Sequence, residues 1–113
     1  MTTAAIDDVF RALSDPTRRA IVDRLSLGEA TVTDLAAPFD MSLPAIHQHL
    51  QLLEGSGLIA SAKEGRVRTC RLNVRALQQA EDWLSRRRTM WERRLDNLAE
   101  HLKREREKQG DKR

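Results

Sequence analysis

Apolar residues at Ile6, Val9, Phe10 and Leu13 recur at helical spacing and predict a short first helix. Ser14-Asp15-Pro16-Thr17 interrupts that pattern, and either Ser14 or Asp15 can cap a second helix carrying Ala20, Ile21 and Leu25, which stops at Gly28-Glu29. Arg18 and Arg19 fall near the start of this second helix, where they oppose its dipole. Cations kept at a positive helix end imply partners elsewhere, phosphates among them; flexible surface arginines are the plainer reading. A third, short helix opens around Thr33-Asp34-Leu35-Ala36 with Thr31 or Thr33 as its cap, and Asp40-Met41-Ser42 makes a tight connection to a fourth.

Ser42 caps this fourth helix, Leu43 to about Glu54, with Pro44 in the first turn where a missing amide hydrogen costs nothing. Ile46, His49, Leu50 and Leu53 follow the i, i+3, i+4, i+7 rule and define a core face; Pro44, His47, Gln48 and Gln51 lie opposite. That outer face is polar but uncharged. An imidazole and two amides suit hydrogen bonding to base edges better than they serve solubility. His49 reads as a buried, hydrogen-bonded core residue and His47 as outward-facing.

Gly55-Ser56-Gly57 ends the helix, and the chain resumes as an extended segment, Leu58 to Ala62. A hairpin tip at Glu64-Gly65 leads into Val67 to Leu72, where Val67, Thr69 and Arg71 share one face and Arg68, Cys70 and Leu72 the other. The expectation is a two-stranded wing with Lys63, Arg66 and Arg68 at or near its tip. From about Val74 the chain is helical again, without Pro or Gly until Gly110. Leu84, Trp91 and Leu98 recur every seven residues, Leu95 and Leu102 follow at i+4 spacing, and Arg88 interrupts the seam. The fold expected is mainly α with a small β-hairpin: one winged helix-turn-helix domain over 1–113, with N- and C-terminal dimerisation helices. The C-terminal one covers about 76–102 and a charged, fraying tail covers 103–113.

Charge sharpens this picture. The chain has 113 residues and a formal net charge of +3, unevenly spread. Residues 1–59 carry 4 Arg against 8 acidic residues, whereas residues 60–75 carry Lys63, Arg66, Arg68, Arg71 and Arg75 against Glu64 alone. A short basic segment beside an acidic body points to a directed anionic partner, nucleic acid above all, as well as it fits a solvated hairpin. The ordered combination of helix, tight turn, uncharged outward helix and basic hairpin favours the former.

Other classes recede. A chain of this length holds one modest domain whose thin core gains from a partner subunit. Apolar runs are too short to span a membrane and no secretory apolar region follows Met1, so a cytoplasmic location is expected. Cys70 is the single cysteine, which excludes an internal disulfide and a four-cysteine zinc site; a lone strand cysteine is ordinary packing more often than a thiol switch. His47 and His49 point about 200° apart on a helix and cannot readily share one ion. There is no Ser-His-Asp register, phosphate-binding glycine loop or paired carboxylate in an evident cleft. No enzyme activity, metal or cofactor is expected.

The stretches "ALSDPTRRAIVDRL", "VTDLA", "MSLPAIHQHLQLLEGSGLI" and "KEGRVRTCRL" resemble the arsenical and metal-sensor repressors of the ArsR family from Phe10 through Leu72. "WLSRRRTMWERRLDNLAEHL" is similar to the C-terminal dimerisation helix of a subgroup without metal ligands. The resemblance implies a homodimeric repressor that binds double-stranded DNA at an inverted-repeat operator. It implies Ser42, Pro44, His47, Gln48 and Gln51 on the recognition helix and Lys63, Arg66 and Arg68 on the wing. His49 matches the family histidine, whereas His47 stands where a serine is usual. The family's Cys-x-Cys metal box is absent, since Thr31-Val32-Thr33 stands there; in the C-terminal helix Asp82, Glu92, Asp96, Glu100 and His101 read as a solvated face rather than metal ligands.

Dimerisation also follows physically, because one recognition helix reads too few base pairs and a two-fold pair reads two successive major grooves. Ile6, Phe10, Trp83, Trp91, Leu95 and Leu98 are the expected interface, with packing of the tryptophans inside the monomer as the alternative. Any effector is unspecified. A different class, a protein-interaction adaptor docking through Trp83 and Trp91, is the competing reading.

Overall fold

The computed structural model describes residues 3–111. Helix α1 (Thr3–Ala12) and helix α2 (Pro16–Leu25) precede a two-residue strand β1 (Ala30–Thr31), the short α3 (Val32–Ala36) and α4 (Leu43–Gly55). Strands β2 (Ile59–Glu64) and β3 (Val67–Leu72) follow, then α5 (Val74–Asp111). The chain divides into two compact units, Met1–Ala80 and Glu81–Arg113.

Local chemistry accounts for the helix boundaries. Asp15, rather than Ser14, caps α2: its Oδ2 accepts the Arg18 backbone N–H at 3.0 Å, and Pro16 opens the first turn. Thr31, rather than Thr33, caps α3 by accepting the Asp34 N–H at 3.1 Å. Ser42 caps α4 as expected, accepting the Ala45 N–H at 3.3 Å. Helix α4 stops in a Schellman motif: Leu58 N–H donates to the Leu53 carbonyl at 3.1 Å and Gly57 N–H to the Glu54 carbonyl at 3.0 Å, with Gly57 at φ +85. A side chain at Gly57 would strain that turn, so the chain leaves α4 in one fixed direction toward the wing.

The wing is a three-stranded antiparallel sheet in the order β1-β3-β2, not the two-stranded hairpin expected from sequence. Ala30 pairs with Cys70 and Thr31 with Thr69, so the strand leading into α3 is tied to the middle of the wing. In the hairpin, Ser61 pairs with Cys70, Lys63 with Arg68 and Glu64 with Val67. Its tip is therefore Gly65-Arg66, one residue beyond the expected position, with Gly65 at φ +60 in the first loop position as a type II′ turn requires.

The core of the first unit gathers one face of every element. Val9, Ile21, Leu35, Ile46, Leu53, Leu58 and Cys70 are almost wholly enclosed, joined by Leu25, Leu50, Ile59, Ala76 and Ala80. Burying each large aliphatic side chain contributes about 1.5–3 kcal/mol, so α4, with Ile46, Leu50 and Leu53, is among the most heavily anchored of the short helices. Those three residues belong to the core face predicted by its periodicity.

Arg18 departs from expectation. It is buried, 9% exposed, with its guanidinium engaged inside the fold. Its Nε donates to the Ala12 carbonyl at 2.7 Å and its Nη2 to the Arg11 carbonyl at 3.2 Å, placing the guanidinium on the negative end of α1. Its Nη1 lies 3.2 Å from His49 Nδ1. Arginine only donates, so Nδ1 accepts and the ring proton sits on Nε2. His49 is thus hydrogen-bonded as expected, but half-buried rather than enclosed, with Asp15 Oδ2 3.8 Å away. One buried cation joins the end of α1, the start of α2 and the middle of α4.

In the second unit α5 carries its apolar stripe in the open: Leu84, Trp91, Leu95, Leu98 and Leu102 are each more than half exposed. Arg87 lies over the Trp83 ring at 4.1 Å and Arg94 over Trp91 at 5.5 Å. The helix runs through the charged stretch after Leu102 to Asp111. Among the described residues, no helix is long and apolar enough to cross a membrane.

Candidate nucleic-acid interface

Anchored by its core face, α4 turns Leu43, Pro44, His47, Gln48 and Gln51 outward, all of them exposed together with the cap residue Ser42. Beside its N-terminal half, Lys63, Arg66, Val67 and Arg68 of the wing and Thr31, Val32 and Thr33 at the start of α3 close an open groove of about 350 Å³ with Leu43 and His47. The structure therefore brings one recognition-helix candidate, His47, together with all three wing candidates, Lys63, Arg66 and Arg68. Ser42, Pro44 and Gln48 stay on the exposed surface of α4 without lining the groove. Gln51 lies at a separate shallow depression beside Asp8 and Arg11 of α1.

Electrostatics and geometry agree in this groove. Three cations border it, and no carboxylate is among its lining residues. Arg68 is not a freely moving charge: its Nη1 donates to Ser61 Oγ at 2.8 Å, and that hydroxyl donates to Glu54 Oε1 at 2.6 Å. The relay ties the middle of the wing to the last turn of α4 and holds the angle between the two surfaces that a duplex would have to meet. Lys63 stands directly across from Arg68 and Arg66 lies at the tip, and both Lys63 and Arg66 are exposed.

Cys70 lies under the sheet, 1% exposed. Burial pushes its thiol above the usual range, the Glu54 carboxylate pushes it further in the same direction, and Arg68 pulls it partly back. A buried, protonated thiol is a poor nucleophile and suits packing. Among the described residues, no group of three or more His, Cys, Asp or Glu is placed to hold a metal ion.

Five groove residues, Thr31, Val32, Thr33, Leu43 and Val67, are not among the site residues expected from sequence. Leu43 carries a usable signal, since it precedes His47 by four residues and so shares its face of α4. Thr33 carries none, because its approach to α4 depends on β1 pairing with the wing.

A capped, uncharged helix face set against a basic three-stranded wing, with a short helix and tight turn before it, defines a winged helix-turn-helix. A helix-turn-helix domain model matches residues 13–62. The transcriptional repressor SdpR of Bacillus subtilis (strain 168) is 38% identical over 79 residues, covering 70% of this chain and 88% of that protein. The HTH-type transcriptional regulator Rv2034 of Mycobacterium tuberculosis is 36% identical over 94 residues, covering 83% and 85%. A crystal structure of an ArsR family transcriptional regulator superposes with a TM-score of 0.78 at 46% identity, over 81% of this chain and 95% of that one. The chain belongs to the ArsR family of winged helix-turn-helix transcriptional repressors.

Proposed function

We propose that two copies of the chain pair and repress transcription in the cytoplasm by occupying an inverted-repeat operator, each copy laying α4 in a major groove about 34–36 Å from the other. The observation that carries this reading is the convergence of His47 with Lys63, Arg66 and Arg68 on one groove that no carboxylate lines. His47, Gln48 and Gln51 read base edges; Ser42 and Pro44 set the helix N-terminus against the backbone; Lys63 and Arg66 neutralise phosphates. Arg68 contributes charge while holding the wing through Ser61.

Pairing uses residues 76–102 of α5 and the outer side of α1. Trp91, Leu95 and Leu98 are 61%, 58% and 53% exposed, a contiguous apolar stripe of the kind that soluble helices cover with a partner. Trp83, Ile6 and Phe10, all half-buried, complete the proposed interface. The charged segment 103–113 lies beyond the pairing region. The direct test is selection of duplexes from a random library by the purified full-length protein, followed by competition between the selected site and a scrambled duplex at fixed salt. Preference for an inverted repeat by a factor of about a thousand or more is expected, and equal binding to both duplexes refutes the reading.

A further inference from the structure

Three groove residues, Val32, Leu43 and Val67, have side chains that play no part in hydrogen bonding to bases or in neutralising phosphates, and Leu43 is the one of the three that α4 carries. It is the first residue of α4, immediately after the Ser42 cap, and 54% exposed. It does not belong to the core, yet it lines the groove with His47 and the cationic wing residues Lys63, Arg66 and Arg68. Other exposed leucines lie elsewhere: Leu27 sits beside the loop at Gly28, and Leu52 faces the depression beside α1.

A duplex seated in this groove removes Leu43 from water, so the group that Leu43 then meets decides whether contact helps or costs. Against a phosphate oxygen or a base acceptor, an isobutyl group desolvates a polar atom and returns no hydrogen bond. The edge of the major groove offers one apolar group, the 5-methyl of thymine. The N-terminal residues of a recognition helix are those that face base edges, and Leu43 is the first of them. We propose that Leu43 is a specificity-determining residue that selects thymine in each operator half-site by packing on its 5-methyl group. The inference rests on the DNA-reading function proposed above.

Geometry also places that thymine relative to the rest of the site. Leu43 and His47 are four residues apart on one face, roughly 6 Å along the helix axis. With base pairs about 3.4 Å apart, the thymine lies within about two base pairs of the base read by His47. His47 then supplies the polar discrimination and Leu43 the apolar one.

The test uses the full-length protein and the duplex it selects from a random library, remade with deoxyuracil in place of each thymine in turn. This exchange deletes one methyl group and leaves every hydrogen-bonding atom in place. At one thymine per half-site, wild-type affinity is expected to fall about fourfold, and about fifteenfold when both half-sites are changed, the factor for a buried group of methyl size. Leu43→Ala is expected to bind thymine and uracil duplexes equally, whereas His47→Ala retains the difference; melting followed by circular dichroism checks that both variants are folded. A selected half-site without thymine, indifference of the wild type to every exchange, or full uracil sensitivity in Leu43→Ala overturns the assignment. If the wild type selects no duplex at all, the DNA-reading proposal falls and this one with it, an outcome distinct from specific binding without methyl sensitivity.

Discussion

Replacing Arg18 by alanine removes the guanidinium that joins three helices, and the structure allows the effect to be sized. Three side-chain hydrogen bonds disappear: Nε to the Ala12 carbonyl at 2.7 Å, Nη2 to the Arg11 carbonyl at 3.2 Å and Nη1 to His49 Nδ1 at 3.2 Å. The Arg11 carbonyl keeps the Ser14 amide and hydroxyl as donors, at 3.2 and 2.6 Å, so its share is small. The Ala12 carbonyl and the His49 acceptor are deprived of a charged donor in a buried or part-buried setting, at about 1.5–3 kcal/mol each. A total near 4 kcal/mol is a large fraction of the roughly 5–15 kcal/mol that separates folded from unfolded domains. Arg18→Lys keeps the charge but cannot fork between two carbonyls and a ring, so about half the destabilisation is expected to remain. Arg19→Ala is the control, because exposed Arg19 makes one side-chain hydrogen bond, Nη1 to the Leu13 carbonyl at 2.8 Å, worth about 1 kcal/mol or less. Urea unfolding followed by far-ultraviolet circular dichroism, at one fixed protein concentration so that subunit association is held constant, gives the three differences. If Arg18→Ala costs no more than Arg19→Ala, the guanidinium is not the link between α1 and α4 and the argument fails.

The Asp15 carboxyl is held below its ordinary value of 3.8, first by the Arg18 backbone N–H and further by the Arg18 charge, against some desolvation. The stability it adds is therefore present above that value and lost as pH falls through the lowered one, so Asp15→Asn is less stable than wild type at neutral pH and the gap closes in acid unfolding curves. Ser42→Ala removes the acceptor of the Ala45 N–H and is expected to cost about 1 kcal/mol in urea unfolding. Leu95→Glu places a charge in the exposed stripe of α5 and is expected to shift the protein from dimer to monomer in sedimentation velocity, while an unchanged sedimentation coefficient counts against α5 as the pairing surface. Arg66→Ala weakens binding to specific and scrambled duplexes alike and lowers the slope of log affinity against log salt by about 0.9 for each phosphate left without its cation, as titrations at several salt concentrations would reveal.

Helix α4 is legible in the sequence because its determinants are local. Ser42, Pro44, the spacing of Ile46, Leu50 and Leu53, and the glycines after Glu54 act within a turn or two of one another. Its outward residues follow from the same period. The seam of α5 is legible for the same reason, since Leu84, Trp91, Leu95, Leu98 and Leu102 are positioned by helix geometry alone. Strand β1 is not: two residues carry no alternation, and Ala30 and Thr31 are extended only because Cys70 and Thr69 offer a strand edge across the fold. The groove depends on that pairing, which brings Thr31 and Thr33 up beside His47, and so its full outline lies beyond any local pattern.

Arg18 shows how a local conflict in a sequence is resolved by tertiary structure. A cation in the first turn of α2 is unfavourable for that helix, and the conflict correctly points to a partner elsewhere. Phosphate is the wrong partner. The favourable field comes from the C-terminal carbonyls of α1, which are held next to the start of α2 by the short Leu13–Asp15 connection, so one guanidinium offsets the dipole cost in α2 by satisfying the orphan acceptors of α1. Its remaining donor reaches His49 of α4, the neighbour in sequence of the buried Leu50. The acidic charge of Asp15 and the buried charge of Arg18 thus belong to the scaffold that orients α4, and the cations left for an anionic partner are those of the wing. This separation explains why a chain whose first 59 residues are net acidic presents a basic surface to DNA in the proposed function: Arg18 is already engaged against α4 from the core side, whereas Lys63 and Arg66 of the wing stay exposed and Arg68 lines the groove while joined to Glu54 through Ser61.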